Sequence, residues 1–67
     1  MSVARVTEIT SSSTKSFEEA IRVGVERAHK TLQNVSGAWI KSQKLECKDG
    51  KIEEYRVTMK VTFVLKS

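Results

Sequence analysis

The run KDGKIEEYRVTMKVTFVL, residues 48–65, decides the fold. Asp49-Gly50 suits the two positive φ angles of a type I′ turn, so a hairpin reverses the chain there. In the arm that follows, Tyr55, Val57, Met59, Val61, Phe63 and Leu65 fall on every second position. That period of two marks a strand with one buried face. A two-residue loop sets Lys48 opposite Lys51, and counting back predicts the pairs Ser42–Val57, Ile40–Met59 and Ala38–Val61. The other face then carries Trp39 opposite Lys60, Lys41 opposite Thr58, and Gln43 opposite Arg56, with Gly37 and Thr62 just beyond.

Upstream of the hairpin, apolar positions recur at Phe17, Ala20, Ile21, Gly24, Val25, Ala28, Leu32 and Val35, the three-and-four spacing of a helix with one covered face. Asn34-Val35-Ser36-Gly37 is expected to close it, with the glycine where the chain turns. Two starts are open. Ser13 is the preferred cap, within the polar run Ser11-Ser12-Ser13-Thr14, while Ser16 with Glu19 would form a capping box. Val3 to Thr10, rich in Val, Ile and Thr, reads as the first strand, ended by that polar run. The order is β-α-β-β, an α+β chain expected to be one domain over residues 1–67. A single helix covers only one side of such a sheet, so the side bearing the sole tryptophan is expected to meet another subunit, a ligand, or both.

A chain of 67 residues buries only about 60% of the surface its unfolded form exposes. Disulfides and structural metals are the common supplements, and the sequence offers one cysteine, Cys47, and one histidine, His29. Oligomerisation is the supplement left. The lone thiol and the absence of a signal-peptide pattern predict a cytoplasmic location, and no apolar run reaches the roughly 20 residues of a membrane span. Twelve Lys plus Arg against eight Asp plus Glu give a net charge of +4, which favours anionic partners. Those charges are dispersed, and one tryptophan makes a poor stacking platform for bases, so neither nucleic acid nor membrane is an expected partner. No nucleophile, base and orienting group can be assembled from one His, one Cys and scattered carboxylates, so the chain is expected not to be an enzyme.

Taken together, Arg5-Val6-Thr7-Glu8-Ile9 before a Ser/Thr turn, Ala20-Ile21, Arg27-Ala28 and Thr31-Leu32 in the helix, and Tyr55-Arg56-Val57-Thr58-Met59-Lys60-Val61-Thr62-Phe63 in the last strand resemble the dodecins. That resemblance, over nearly the whole chain, implies a hollow homododecamer in which a three-stranded antiparallel sheet wraps around one helix. It also implies riboflavin, FMN or FAD held between subunits for storage, without a reaction. In the best-known members a tryptophan just after the helix stacks on the flavin ring and a glutamine on the last strand binds its pyrimidine edge. Aligned without gaps, those positions are Gly37 and Arg56 here. Trp39 lies two residues further along, the same face of a strand but about 6–7 Å away. Some dodecin-like proteins that share both departures have been linked to calcium.

The expected pocket comprises Gly37, Trp39, Gln43, Arg56 and Thr58, with flavin as ligand; a calcium-binding or purely structural shell is the alternative. No metal ligands are assigned, although Glu46, Asp49, Glu53 and Glu54 at the hairpin tip are the first place to look for a cation between subunits. Trp39 serves either interface packing or ring stacking. Arg56 offers donors only, so Gln43 is the amide that would replace the missing pairing. His29 reads as a boundary residue, Cys47 as a strand residue beside Ile52, and the Ser11–Thr14 run as a helix cap in preference to a phosphate cradle.

Overall fold

The computed structural model describes residues 3–65, in the order β1 (Val3–Ser13), α1 (Phe17–Leu32), β2 (Val35–Lys48) and β3 (Lys51–Leu65). The three strands form one antiparallel sheet in the order β1-β3-β2, so the alternating C-terminal strand is central and both neighbours are edges. Its inward residues Val57, Met59 and Val61 are fully buried, as the period of two requires. Tyr55 and Phe63 are half-buried at the ends of that row, and Leu65 is exposed where the helix no longer reaches.

Small residues bring the helix close. Ala20, Gly24 and Ala28, four apart, form its buried line, while Phe17, Ile21, Val25 and Leu32 flank the core. A methyl group at Gly24 would stand 2.7 Å from Met59 Cε and 2.9 Å from Ser11 Cβ. At the helix start, Phe17 meets Tyr55 edge to face, with ring centroids 5.2 Å apart, and this fixes the helix entry on β3.

The helix boundaries differ from the sequence expectation at both ends. Ser16, not Ser13, is the N-cap, accepting from the Glu19 N–H at 3.0 Å. β1 runs on through the polar Ser11-Ser12-Ser13, because Ser11, Ser12 and Ser13 all find partners on β3 at Val57, Arg56 and Tyr55. Ser13 Oγ instead accepts from the Lys15 N–H at 2.9 Å, tightening the turn between strand and helix. At the other end the helix closes before Gly37. Gln33 and Asn34 take φ of 57° and 52°, and Val35 already belongs to β2.

The hairpin turn is as expected, with Asp49 and Gly50 at φ 53° and 76°. Along the arms the predicted register holds only in part. Lys48 faces Lys51, Ile40 faces Met59 and Ala38 faces Val61, but Gln43 faces Val57 and Ser42 faces Thr58. Two irregularities explain this. One between Glu46 and Cys47 leaves Glu53 extra on β3, and one between Ile40 and Ser42 leaves Lys41 extra on β2, so the second restores the register that the first shifts.

Among the described residues only Ala20, Ala28, Val57, Met59 and Val61 make up the buried apolar core. The accessible surface is 5214 Å² for 7.5 kDa, against about 4,200 Å² for a self-contained monomer of that mass. The radius of gyration, 13.7 Å, also exceeds the roughly 11 Å of a compact chain this long. The molecule is a 51 Å ribbon-like subunit with too much surface for its core.

Candidate functional site

Opposite the helix lies the outer face of the sheet, and strand alternation assigns it. Val6, Glu8, Thr10 and Ser12 of β1 pair there with Thr62, Lys60, Thr58 and Arg56 of β3. On β2 the partners are Gly37 for Thr62, Trp39 for Lys60, Ser42 for Thr58 and Lys44 for Arg56. Trp39 is 76% exposed, which for the largest apolar side chain in the sequence is a costly placement in water. With Lys41 and Lys60 it lines a shallow hollow of about 210 Å³.

The bulge at Lys41 helps to build that hollow. As the extra residue of β2 it has no cross-strand partner, and its ammonium reaches across the central strand to Glu8 Oε1 on β1 at 3.1 Å. Glu8 faces Lys60, yet among the described residues no carboxylate lies within ion-pair distance of Lys60. Two bases therefore stand beside an exposed indole, and one acid compensates only one of them. Gly37, next along the same face, has open space within 4 Å of where a Cβ would be.

Arg56 belongs to a different cluster. Its guanidinium donates to Glu54 Oε1 at 3.0 Å and lies 3.7 Å from Glu46 Oε2, which Lys44 also approaches at 3.2 Å. Glu46 and Glu54 face each other across the hairpin, so the two bases neutralise a pair of like charges. Although Glu46 Oε2 is sealed from solvent and lacks a well-aligned hydrogen bond, these two cations compensate its charge.

Of the five residues expected to form one pocket, the register separates several. Arg56 lies four residues from Lys60 along β3, about 13 Å from the Trp39 level. Thr58 sits between them, its hydroxyl 3.4 Å from that of Thr10. Gln43 is the correction. It faces Val57, an inward residue, and so is not the cross-strand neighbour of Arg56; Lys44 is. The bulges that cause this leave no trace in apolar alternation, because Lys41, Ser42, Gln43 and Lys44 are all polar. Glu8 was not singled out from sequence, since its approach to Lys41 depends on β1 returning to pair with β3 on the far side from β2.

The carboxylates at the hairpin tip do not gather. Among the described residues no group of three or more His, Cys, Asp or Glu side chains stands at metal-binding distances. Cys47 is exposed and faces Ile52, as expected. A larger groove of about 450 Å³ runs between α1 and the β1 edge, lined by Ile9, Val23, Gly24, Ala28 and Leu32 together with Arg27. No helix of the described residues is long and apolar enough to cross a membrane.

Comparison with known proteins draws the same outline. The dodecin of Streptomyces davaonensis is 36% identical, with a TM-score of 0.94 over 98% of this chain and 97% of its own. The Streptomyces coelicolor dodecin is 27% identical at a TM-score of 0.93, covering 98% and 94%. The calcium dodecin of Mycobacterium tuberculosis, described as calcium-chelating with a calcium-binding site, is 29% identical at 0.83, covering 96% and 91%. No curated relative matches the sequence. The family model for dodecin matches residues 3–66, and the chain belongs to the dodecin family.

Proposed function

We propose that this chain is one subunit of a homododecameric binding shell that stores flavin, without catalysing a reaction on it, in pockets completed by neighbouring subunits. The observation that carries this is Trp39, 76% exposed at the floor of a hollow on the uncovered side of the sheet. Small-molecule sites are commonly 300–1,000 Å³, so a hollow of about 210 Å³ in one subunit is part of a site that an adjoining subunit finishes. Stacking of a flat ring on an aromatic side chain contributes roughly 1–3 kcal/mol. Trp39 takes the place of a stacking residue at Gly37, whose empty side leaves room beside it for the ring. Thr58 and Arg56 lie further along the same face, while Gln43 is set aside by its register. Storage follows from enclosure, because a ring stacked between subunits is shielded from water and from redox partners.

A calcium-binding shell is the second reading, supported by the calcium dodecin among the similar structures. Against it stands the engagement of Glu46 and Glu54 by Arg56 and Lys44. Native mass spectrometry with an equimolar mixture of riboflavin, FMN and FAD separates the two. A twelve-subunit species with added flavin mass is the expected result. A flavin-free dodecamer that gains mass with calcium would replace flavin by the cation, and a monomer would overturn the assembly itself.

A further inference from the structure

Resting on the assignment of the Trp39 hollow as the ligand site, we infer that this hollow selects ligands that are both aromatic and anionic, and that Lys60 is the residue that discriminates charge. Two lysines line the hollow beside the indole, and one of them is held by an acid from the far strand. Lys60 of β3 is directly cross-strand from Trp39, Lys41 of β2 stands at the bulge, and Glu8 of β1 is ion-paired with Lys41. Glu8 compensates one of the two ammonium groups and leaves the hollow with a net positive charge. The pair is also directional. Lys41 is held by Glu8 at 3.1 Å, whereas Lys60 has no carboxylate within ion-pair distance among the described residues and keeps its three donors available.

An anion on a ligand whose ring rests on Trp39 therefore gains a charge-assisted contact from Lys60 without breaking a bond inside the subunit. A neutral ligand with the same ring gains the stacking alone. Lys41 acts as a wall, since the strap to Glu8 fixes it above the central strand and limits how far a ring can slide toward Thr58. Arg56, the more obvious anion binder from sequence, is about 13 Å away and already committed to Glu54 and Glu46. Charge selection thus falls to a lysine whose neighbours leave it free.

Trp39 is the sole tryptophan, so its fluorescence reports this site and no other. The test titrates the assembled protein with FMN and with riboflavin, at low and at raised salt, for the native chain and for Lys60→Met, which keeps the stem and removes the charge. FMN is expected to bind roughly five-fold more tightly than riboflavin at low salt, the discrimination of about one partly exposed ion pair. That FMN-to-riboflavin ratio should fall to about one in Lys60→Met and shrink at raised salt, whatever the variant does to the common stacking affinity. A second pair of probes, anilinonaphthalene sulfonate and its uncharged parent phenylnaphthylamine, makes the outcome independent of flavin. If flavins bind with no preference for FMN, or if Lys60→Met leaves the preference intact, charge selection is overturned while flavin binding stands. If neither flavin binds but the sulfonate quenches Trp39 in a Lys60-dependent way, charge selection stands and flavin storage is overturned. Quenching by none of the four overturns both.

Discussion

Gln33, the cap that follows α1, and Gly24 inside it fit their backbones in opposite ways. Gln33 has φ 57° and ψ 163°, a region that only glycine enters without strain. Its N–H still closes the helix by donating to the His29 carbonyl at 2.9 Å, so the conformation is kept for the turn it makes into β2. Gln33→Gly should therefore stabilise the protein by about 1 kcal/mol, seen as a rise in the thermal midpoint, even though glycine raises the entropy of the unfolded chain. Gly24 is the converse. Alanine would gain about 1 kcal/mol of helix propensity there, but its methyl would meet Ser11 Cβ at 2.9 Å and Met59 Cε at 2.7 Å. The Met59 tip can swing aside, whereas Ser11 is fixed in β1, so overpacking of about 1–3 kcal/mol wins. Gly24→Ala should lower the midpoint, and Ser11→Gly in the same chain should restore part of it; an unchanged midpoint would show that the helix can lift off β1 at no cost.

At the scale of the elements, the hairpin shows what was legible in the sequence and what was not. Strand β3 could be read outright, because Val57, Met59 and Val61 alternate with polar residues and all three are fully buried. The turn could be read from Asp49-Gly50, which adopt the two positive φ angles. Strand β2 could not, because its middle is a polar stretch in which a bulge moves no apolar residue, and that ambiguity put Gln43 in the site and missed Glu8. The start of the helix was ambiguous for a similar reason, since several hydroxyls compete and only the pairing of Ser11, Ser12 and Ser13 with β3 removes them from the helix cap. The same hairpin carries an element-level prediction. Arg56→Gln leaves Glu46 and Glu54 facing each other with only Lys44, paired to Glu46, to offset them. As these side chains are about one-third exposed or more, the loss should be modest, about 0.5–1 kcal/mol. Combining it with Glu54→Gln should recover most of that loss; in a double-mutant cycle by denaturant unfolding, a coupling near zero would mean that the cluster contributes nothing.

The whole molecule is an incomplete object taken one chain at a time. Leu45 and Ile52, in the half of the hairpin nearer its turn, are 42% and 49% exposed, as are Val3 and Val6 at 64% and 55% on β1. In a self-sufficient monomer, replacing such half-exposed residues changes stability by no more than about 0.5 kcal/mol. In a shell whose subunits use one another as core, the same residues are buried against a neighbour, and a charge placed there must be desolvated. The pair Leu45→Glu and Ile52→Glu thus distinguishes the two states of affairs without altering Trp39 or Lys60. The expected outcome is dissociation, measured by size-exclusion chromatography with light scattering, together with loss of the cooperative thermal transition, because the five buried apolar core residues among the described residues of one chain are too few to hold it folded. Were the double variant to remain assembled and melt as the native protein does, the excess surface of the subunit would be covered elsewhere, and the groove between α1 and the β1 edge would become the surface to test next.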